Sequence, residues 1–107
     1  MDTRLTVDPI LRSFREALSE LYGAALDRVV LFGSRARGEA GPESDYDIAV
    51  FLTEVGPGMT EWNRLADLRL RFLDSGGPFF DVIPFPASDF DSHRPIMDEI
   101  RRDGLTL

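Results

Sequence analysis

Two short apolar segments joined by a polar stretch constrain this chain more than any other feature of its sequence. Segment 28–32 (RVVLF) runs directly into Gly33–Ser34. Ten residues beyond that pair, a serine precedes Asp45 and Asp47, which open a second apolar segment, 48–52 (IAVFL). Side chains alternate between the two faces of a strand, so the two aspartates share a face. The pattern predicts two β-strands, one ending in a glycine turn and one beginning with a carboxylate pair.

The residue types at these two strand ends indicate phosphate and metal binding. A glycine turn lets backbone amides approach a phosphate, because no Cβ stands in the way. Asp45 and Asp47 can share a divalent cation, while Tyr46 and Ile48 face the other way. A phosphate cradle beside a pair of carboxylates is what phosphoryl or nucleotidyl transfer from a magnesium nucleotide requires.

The composition of the chain excludes several other chemistries. None of its twelve cationic residues is lysine, which removes both a Walker A phosphate loop and Schiff-base catalysis. There is no cysteine, so disulfides and thiolate metal sites are excluded and a cytoplasmic location is expected. His93 is the only histidine and lies in a polar stretch without a nucleophile elbow, so we assign it no catalytic role.

Length and charge further restrict the kind of protein this chain can be and the partners it can bind. The 107 residues predict one domain spanning 1–107. No apolar run approaches the about 20 residues of a membrane helix, and residues 1–4 do not begin a signal peptide. The net charge of −7 argues against a broad grip on nucleic acid and favours a metal-bound nucleotide or a basic protein partner.

Periodicity and capping signals predict an α/β (α+β) domain in which helices pack against a small mixed sheet. Asp8 and Pro9 begin the first helix and Gly23 ends it. Trp62 lies on the apolar face of a later helix and is interpreted as a core residue. Pro84 and Pro86 place the end of the third strand at a sheet edge or beyond strand pairing. The remaining predicted segments are strand 28–32, a short helix from Ser34, strand 45–52, a helix from Thr60 to Gly76–Gly77, strand 79–85, a helix from Pro95 to Gly104 and a short strand 105–107.

Taken together, these residues resemble the signature of the nucleotidyltransferase superfamily that includes DNA polymerase beta, in its minimal (MNT-type) form. The family pattern is Gly-Ser, ten or so residues, then Asp-x-Asp before apolar residues, and segment 33–47 reads GSRARGEAGPESDYD. The family's third carboxylate lies on a later strand, where Asp81 fits within segment 79–83 (FFDVI). The resemblance covers roughly residues 10–105 and implies the polymerase-beta-like nucleotidyltransferase fold.

The resemblance also implies roles for individual residues. Asp45, Asp47 and Asp81 would hold two Mg²⁺ ions, and Asp81 would act as general base or orient the attacking hydroxyl. Gly33–Ser34 would bind the β- and γ-phosphates of ATP. Arg37 would either contact the triphosphate or pair with a nearby carboxylate, and the sequence leaves both roles open. Direct phosphate contact is less expected for the neighbouring Arg35.

The same resemblance implies a biological setting. Minimal nucleotidyltransferases of this appearance often work with a HEPN-type helical protein as a toxin–antitoxin pair. The implied reaction is transfer of AMP from ATP to a hydroxyl group on that partner. Two alternatives stay open: a non-catalytic antitoxin that neutralises its partner by contact, and a nucleotidyltransferase that acts on a small molecule or nucleic acid through a homodimer.

Overall fold

The computed structural model of the chain describes residues 8–41, 44–74, 76 and 79–107. Its helices are α1 (Pro9–Tyr22), α2 (Gly33–Ala36), α3 (Thr60–Asp74) and α4 (Pro95–Asp103), with 3-10 turns at Gly23–Ala25 and Ala87–Asp91. Its strands are β1 (Leu26–Phe32), β2 (Tyr46–Leu52), β3 (Phe80–Pro86) and β4 (Leu105–Thr106). The predicted order of helices and strands is confirmed, with boundaries that move by one or two residues. No helix among the described residues is long and apolar enough to cross a membrane.

The strands form one mixed sheet in the order β3-β2-β1-β4. β1 runs antiparallel to both β2 and β4, whereas β2 and β3 are parallel. The mixed sheet predicted from the sequence is therefore confirmed. β3 is an edge strand, which accommodates Pro84 and Pro86 because its outer side needs no ladder hydrogen bonds.

Helices cover both faces of this sheet, which explains why β2 is apolar on both faces. α1 and α3 pack on one face through Phe14, Leu65 and Leu68, where they meet alternate strand residues such as Ile48. α4 packs on the other face through Met97 and Ile100, which share a second cluster with Phe51. Because the strand side chains alternate, the sheet divides the core into these two clusters.

Both ends of α1 follow the predicted capping. The Asp8 carboxylate accepts hydrogen bonds from the amides of Ile10 (3.0 Å) and Leu11 (3.2 Å), and Pro9 occupies the first turn. Gly23 ends the helix with φ of 55°, a conformation that favours glycine, and its amide donates to the Ser19 carbonyl. The helix is thereby fixed against the sheet.

The interpretation of Trp62 as a core residue is wrong. Trp62 is 44% exposed, and the face of α3 that meets the sheet carries Leu65 and Leu68. α3 has apolar residues on two neighbouring stripes about 100° apart, and a helix packed on a sheet can bury only one of them. Phe72 completes the buried stripe by packing edge-on against Phe14, with ring centroids 5.1 Å apart. Gly77, predicted to end this helix, lies outside the described residues.

Glu61 is a buried charged residue that the sequence analysis missed. Its side chain is nearly inaccessible, and its carboxylate accepts a hydrogen bond from the Gly56 amide at 2.7 Å. Arg64, one turn further along α3, approaches the other carboxylate oxygen at 3.5 Å. Thr60 begins the helix, and its hydroxyl donates to the Pro57 carbonyl at 2.6 Å. These contacts fix the connection between β2 and α3.

We predict that truncating two aromatic side chains, one buried and one exposed, will affect stability to very different extents. Phe14→Ala should lower the free energy of unfolding by about 3–5 kcal/mol, because Phe14 is fully buried and stacks on Phe80 with centroids 4.1 Å apart. Trp62→Ala should change it by less than about 0.5 kcal/mol, as expected for an exposed position. Chemical denaturation of both variants is the measurement, and a large loss in Trp62→Ala would contradict the assigned packing of α3.

Candidate active site

Three neighbouring strands bring the predicted motif residues to one end of the sheet. β1 ends at Phe32, which lies opposite Asp47 in the antiparallel pair, so Gly33 follows directly at that end. Asp45 immediately precedes β2. In the parallel pair Asp47 is in register with Asp81. The topology therefore gathers the glycine turn and all three predicted carboxylates, although they are spread over nearly fifty residues of sequence.

The carboxylates share a face of the sheet. Ile48 and Val82, the residues after Asp47 and Asp81, belong to the cluster beneath α1 and α3. Since neighbouring side chains on a strand point to opposite faces, the two aspartates point toward the side covered by α4. Asp47 is partly buried there, while Asp81 on the edge strand is exposed. The strand register thus places Asp81 on the same side of the sheet as Asp47.

Gly33 lies directly against Asp47. A Cβ at position 33 would stand 2.2 Å from the Oδ2 atom of Asp47, which is closer than any side chain allows. Gly33 also has φ of 74°, in the left-handed region that favours glycine. Backbone conformation thus favours glycine at this position, and a side chain here would have to displace the Asp47 carboxylate. The glycine turn and Asp47 are consequently in contact.

Several negatively charged side chains lie close together at this end of the sheet. Burial raises the pKa of Asp47 above its usual range, and the nearby charges of Asp81, Asp45 and Glu99 raise it further. The guanidinium of Arg37 acts in the opposite direction and lowers the pKa. A divalent cation would relieve both the burial cost and the repulsion, since it stabilises the ionised carboxylates.

The donor set fits magnesium in its chemistry. Oxygen donors from carboxylates are the ligands that Mg²⁺ prefers. Among the described residues, however, no three His, Cys, Asp or Glu side chains are grouped so that they could hold one ion. Asp45, Asp47 and Asp81 would therefore have to turn toward a shared ion when it binds.

Arg37 is paired with carboxylates in this structure. Its Nε atom lies 3.1 Å from Glu39 and its Nη1 atom lies 4.0 Å from Glu99 on α4. Of the two roles that the sequence left open, the ion pair is the one present here. Glu99 was not singled out by the sequence analysis. Its position between the buried Met97 and Ile100 is unremarkable for a helix, and only the packing of α4 brings it near Asp47.

Arg35 holds the entrance to β2 from the opposite side of the sheet. Its Nε and Nη2 atoms donate to the Ser44 carbonyl at 2.9 and 2.7 Å, and its guanidinium lies 4.0 Å from the centre of the Tyr46 ring. The Tyr46 hydroxyl in turn donates to Asp8 at 3.0 Å. These contacts fix the backbone on both sides of Asp45. Arg35 is thus a positioning residue, a role that the spacing alone did not reveal.

The two motif serines occupy turns. The Ser44 hydroxyl accepts a hydrogen bond from the Gly41 amide at 3.0 Å, which stabilises the turn before Asp45. Ser34 is the second residue of α2, and its carbonyl accepts from the Glu39 amide at 2.9 Å. His93 is exposed in the segment between the second 3-10 turn and α4. It lies outside the sheet and far from the motif residues in the sequence.

The sequence matches the nucleotidyltransferase domain family over residues 11–99, which is most of the chain. The chain therefore belongs to the nucleotidyltransferase domain family, and the predicted minimal nucleotidyltransferase is confirmed.

Two particular relatives come from the archaeon Methanocaldococcus jannaschii, and each is described as a "putative protein adenylyltransferase". One is 35% identical over 63 residues, which cover 59% of this chain and 63% of that protein, less than two thirds of its length. The other is 28% identical over 97 residues, which cover 85% of this chain and 91% of that protein.

Solved structures show the same fold. A toxin–antitoxin crystallised with AMP-PNP superimposes on 88% of this chain and 69% of its own chain, with a TM-score of 0.60 and 19% identity. A variant of the toxin–antitoxin MntA–HpeT matches the same shares with a TM-score of 0.61 and 16% identity. The expected nucleotidyltransferase fold is confirmed.

The contact between Gly33 and Asp47 makes a prediction with a matched control. Gly33→Ala and Gly58→Ala both place alanine at positive φ, which costs about 1–2 kcal/mol. Only position 33 adds a clash, because no described atom lies within 4 Å of a Cβ at Gly58. Gly33→Ala should therefore lose more stability in chemical denaturation and should displace the Asp47 carboxylate. Equal losses in the two variants would contradict the close approach.

The raised pKa of Asp47 makes a prediction about pH. The native state binds this proton more tightly than the unfolded chain does, so stability should fall as pH rises from about 4 through the raised pKa. Asp47→Asn removes that loss. In EDTA the variant should be more stable than wild type at neutral pH, and the difference should shrink toward pH 4.

The control for this experiment is Asp67→Asn. This variant removes an exposed carboxylate on α3 that is not one of the three motif carboxylates. Thermal denaturation between pH 4 and pH 8 is the measurement. If Asp47→Asn were less stable than wild type at neutral pH, the ionised Asp47 carboxylate would not be lowering the stability of the folded protein. The Asp67 variant should track wild type throughout.

Proposed function

We propose that this chain is a magnesium-dependent nucleotidyltransferase that transfers AMP from ATP to a hydroxyl group on a partner protein, as the antitoxin of a HEPN/MNT toxin–antitoxin pair. The observation that carries the proposal is the contact of the Gly33 turn with Asp47, at the end of the sheet where Asp45 and Asp81 also lie. A phosphate turn touching a carboxylate set places nucleotide and metal side by side.

Magnesium, when bound, supplies positive charge that stabilises the attacking and leaving oxygens of the transfer. Asp45, Asp47 and Asp81 are the residues that would hold it. Asp47, partly buried and in contact with the turn, would hold the metal beside the glycine turn. Asp81 lies exposed on the edge strand, where an acceptor hydroxyl can reach it. There it would orient that hydroxyl or accept its proton.

The turn residues and Arg37 would hold the triphosphate. The backbone of Gly33 and Ser34 can approach the β- and γ-phosphates, since position 33 has no side chain. Arg37 is partly exposed, and its partners Glu39 and Glu99 are exposed to a similar or larger extent. Exposed ion pairs are weak, so a phosphate can replace a carboxylate as its partner at little cost.

A protein acceptor is supported from two directions. Two relatives are described as putative protein adenylyltransferases, and similar structures are named as toxin–antitoxin structures. The net charge of −7 disfavours nucleic acid as the substrate and suits a basic protein. Because ATP is the proposed donor, we place the protein in the cytoplasm. Asp47 bears an electrostatic cost that a non-catalytic antitoxin would have no reason to keep.

Transfer is tested with labelled ATP, Mg²⁺ and the purified product of the gene adjacent to this chain's own gene. The partner should acquire AMP, and the Asp45→Asn/Asp47→Asn double variant should lose at least about a thousandfold in rate, because electrostatic stabilisation of the leaving pyrophosphate depends on the metal. Glu20→Gln is the control for charge removal and should transfer normally, because Glu20 is an exposed carboxylate on α1, outside both the motif and α3.

Calorimetry separates binding from chemistry in the same proteins. Wild type and Glu20→Gln should bind ATP with Mg²⁺, whereas the double variant should not. If the double variant still neutralises its partner in cells and wild type labels nothing, the chain is an antitoxin that acts by contact. If wild type labels a small molecule or RNA instead, the acceptor class is wrong.

A further inference from the structure

One face of α3 gathers most of the exposed large apolar side chains among the described residues. Met59 is 61% exposed and Leu70 is 55% exposed, although both lie on or beside a helix that also has a buried face. We call this surface the α3 stripe; it consists of Met59, Trp62, Ala66, Leu70, Leu73 and Phe79. Isolated exposed apolar residues need no explanation, but a contiguous group of them marks an interaction surface.

The stripe has the form of a helix-packing ridge. Trp62, Ala66 and Leu70 are spaced four residues apart, so their side chains stand in one row along the helix. Such rows fit into the grooves of another helix. The small Ala66 between two large side chains leaves a gap that a partner side chain can fill. The surface is therefore shaped to receive a helix.

The stripe leads toward the proposed active site. α3 follows the far end of β2 and runs back to the start of β3, so its C-terminal half lies at the end of the sheet that carries the carboxylates. Arg69 links the stripe to that end, because its guanidinium lies 5.4 Å from the centre of the Phe79 ring. Phe79 is two residues before Asp81, and its carbonyl accepts from the Tyr46 amide at 3.1 Å.

Charge argues for a partner other than a second copy of this chain. Two copies would each bring a net charge of −7. The exposed carboxylates Asp67 and Asp74 border the stripe, being three residues before and four residues after Leu70. Arg64 and Arg71 lie on the far side of the helix. The matching surface is an apolar helix face flanked by arginine or lysine.

The residue types of the stripe agree with this. Tryptophan, methionine and phenylalanine are enriched at the centres of protein interfaces, and Trp62, Met59 and Phe79 supply all three. From these observations we propose that the α3 stripe is the docking surface for the acceptor protein, which presents a basic-flanked apolar helix. The delivery of its hydroxyl to Asp81 rests on the function proposed above; the docking itself does not.

The test compares two exposed leucines. Leu70→Asp places a charge in the stripe, whereas Leu21→Asp places one on an exposed leucine of α1, outside the stripe. Each variant is titrated against the purified product of the adjacent gene, after thermal denaturation has shown that both fold. Leu70→Asp should bind at least about tenfold more weakly than wild type, as expected for an interface centre, and Leu21→Asp should bind like wild type.

Trp62 provides a direct optical reading, because it is the only tryptophan of the chain. In the complex of wild type with a tryptophan-free form of the partner, its emission should shift to shorter wavelength as water leaves the indole. An unchanged emission, equal binding by the two aspartate variants, or no complex with the partner would each overturn the proposal. Dimerisation of the free chain that Leu70→Asp abolishes would instead assign the stripe to a second copy.

Nucleotide binding keeps the two proposals distinguishable. Leu70→Asp should bind ATP with Mg²⁺ as wild type does, since α3 packs on the face of the sheet opposite to the one toward which Asp47 and Asp81 point. Docking that depends on Leu70 without any AMP transfer would refute the proposed reaction and leave the docking surface intact. AMP transfer that proceeds equally in Leu70→Asp would refute the docking surface and leave the reaction intact.

Discussion

The close approach of Gly33 to the Asp47 carboxylate is the constraint on which the rest of this site depends. It requires β1 to end where β2 begins, and therefore an antiparallel pair with Phe32 opposite Asp47. It also requires glycine at position 33, both for its positive φ and for the absence of a Cβ. Because Gly33 contacts Asp47, a phosphate bound by this turn would lie next to a cation bound by Asp47.

That proximity has an electrostatic consequence. Asp47 is partly buried and shares its surroundings with Asp45 and Asp81, so the ionised form is disfavoured until a cation is present. Functional sites commonly retain groups that reduce the stability of the free protein. Here the cost is concentrated where the proposed chemistry needs three carboxylates. The positive charge of Arg37 limits this cost.

The two apolar stripes of α3 explain both an error and a proposal. Helical periodicity identified apolar positions correctly, but it could not decide which of two adjacent stripes faces the sheet. Phe72 and Leu68 joined the core beside Phe14, and Trp62 was left exposed. A residue misassigned to the core in this way is informative, because natural chains seldom keep such a surface without a partner to cover it.

The sequence by itself determined the elements of the fold and the residues of the candidate site. Strand alternation, Asp8 and Gly23 as helix caps, and the spacing from Gly33 to Asp47 are local properties, and local geometry fixes them. Which residues lie next to each other across the sheet depends on the tertiary structure. The register of Asp47 with Asp81, the approach of Glu99 from α4 and the role of Arg35 depend on strand order and helix packing. Those contacts join residues distant in the chain, and no local periodicity encodes them.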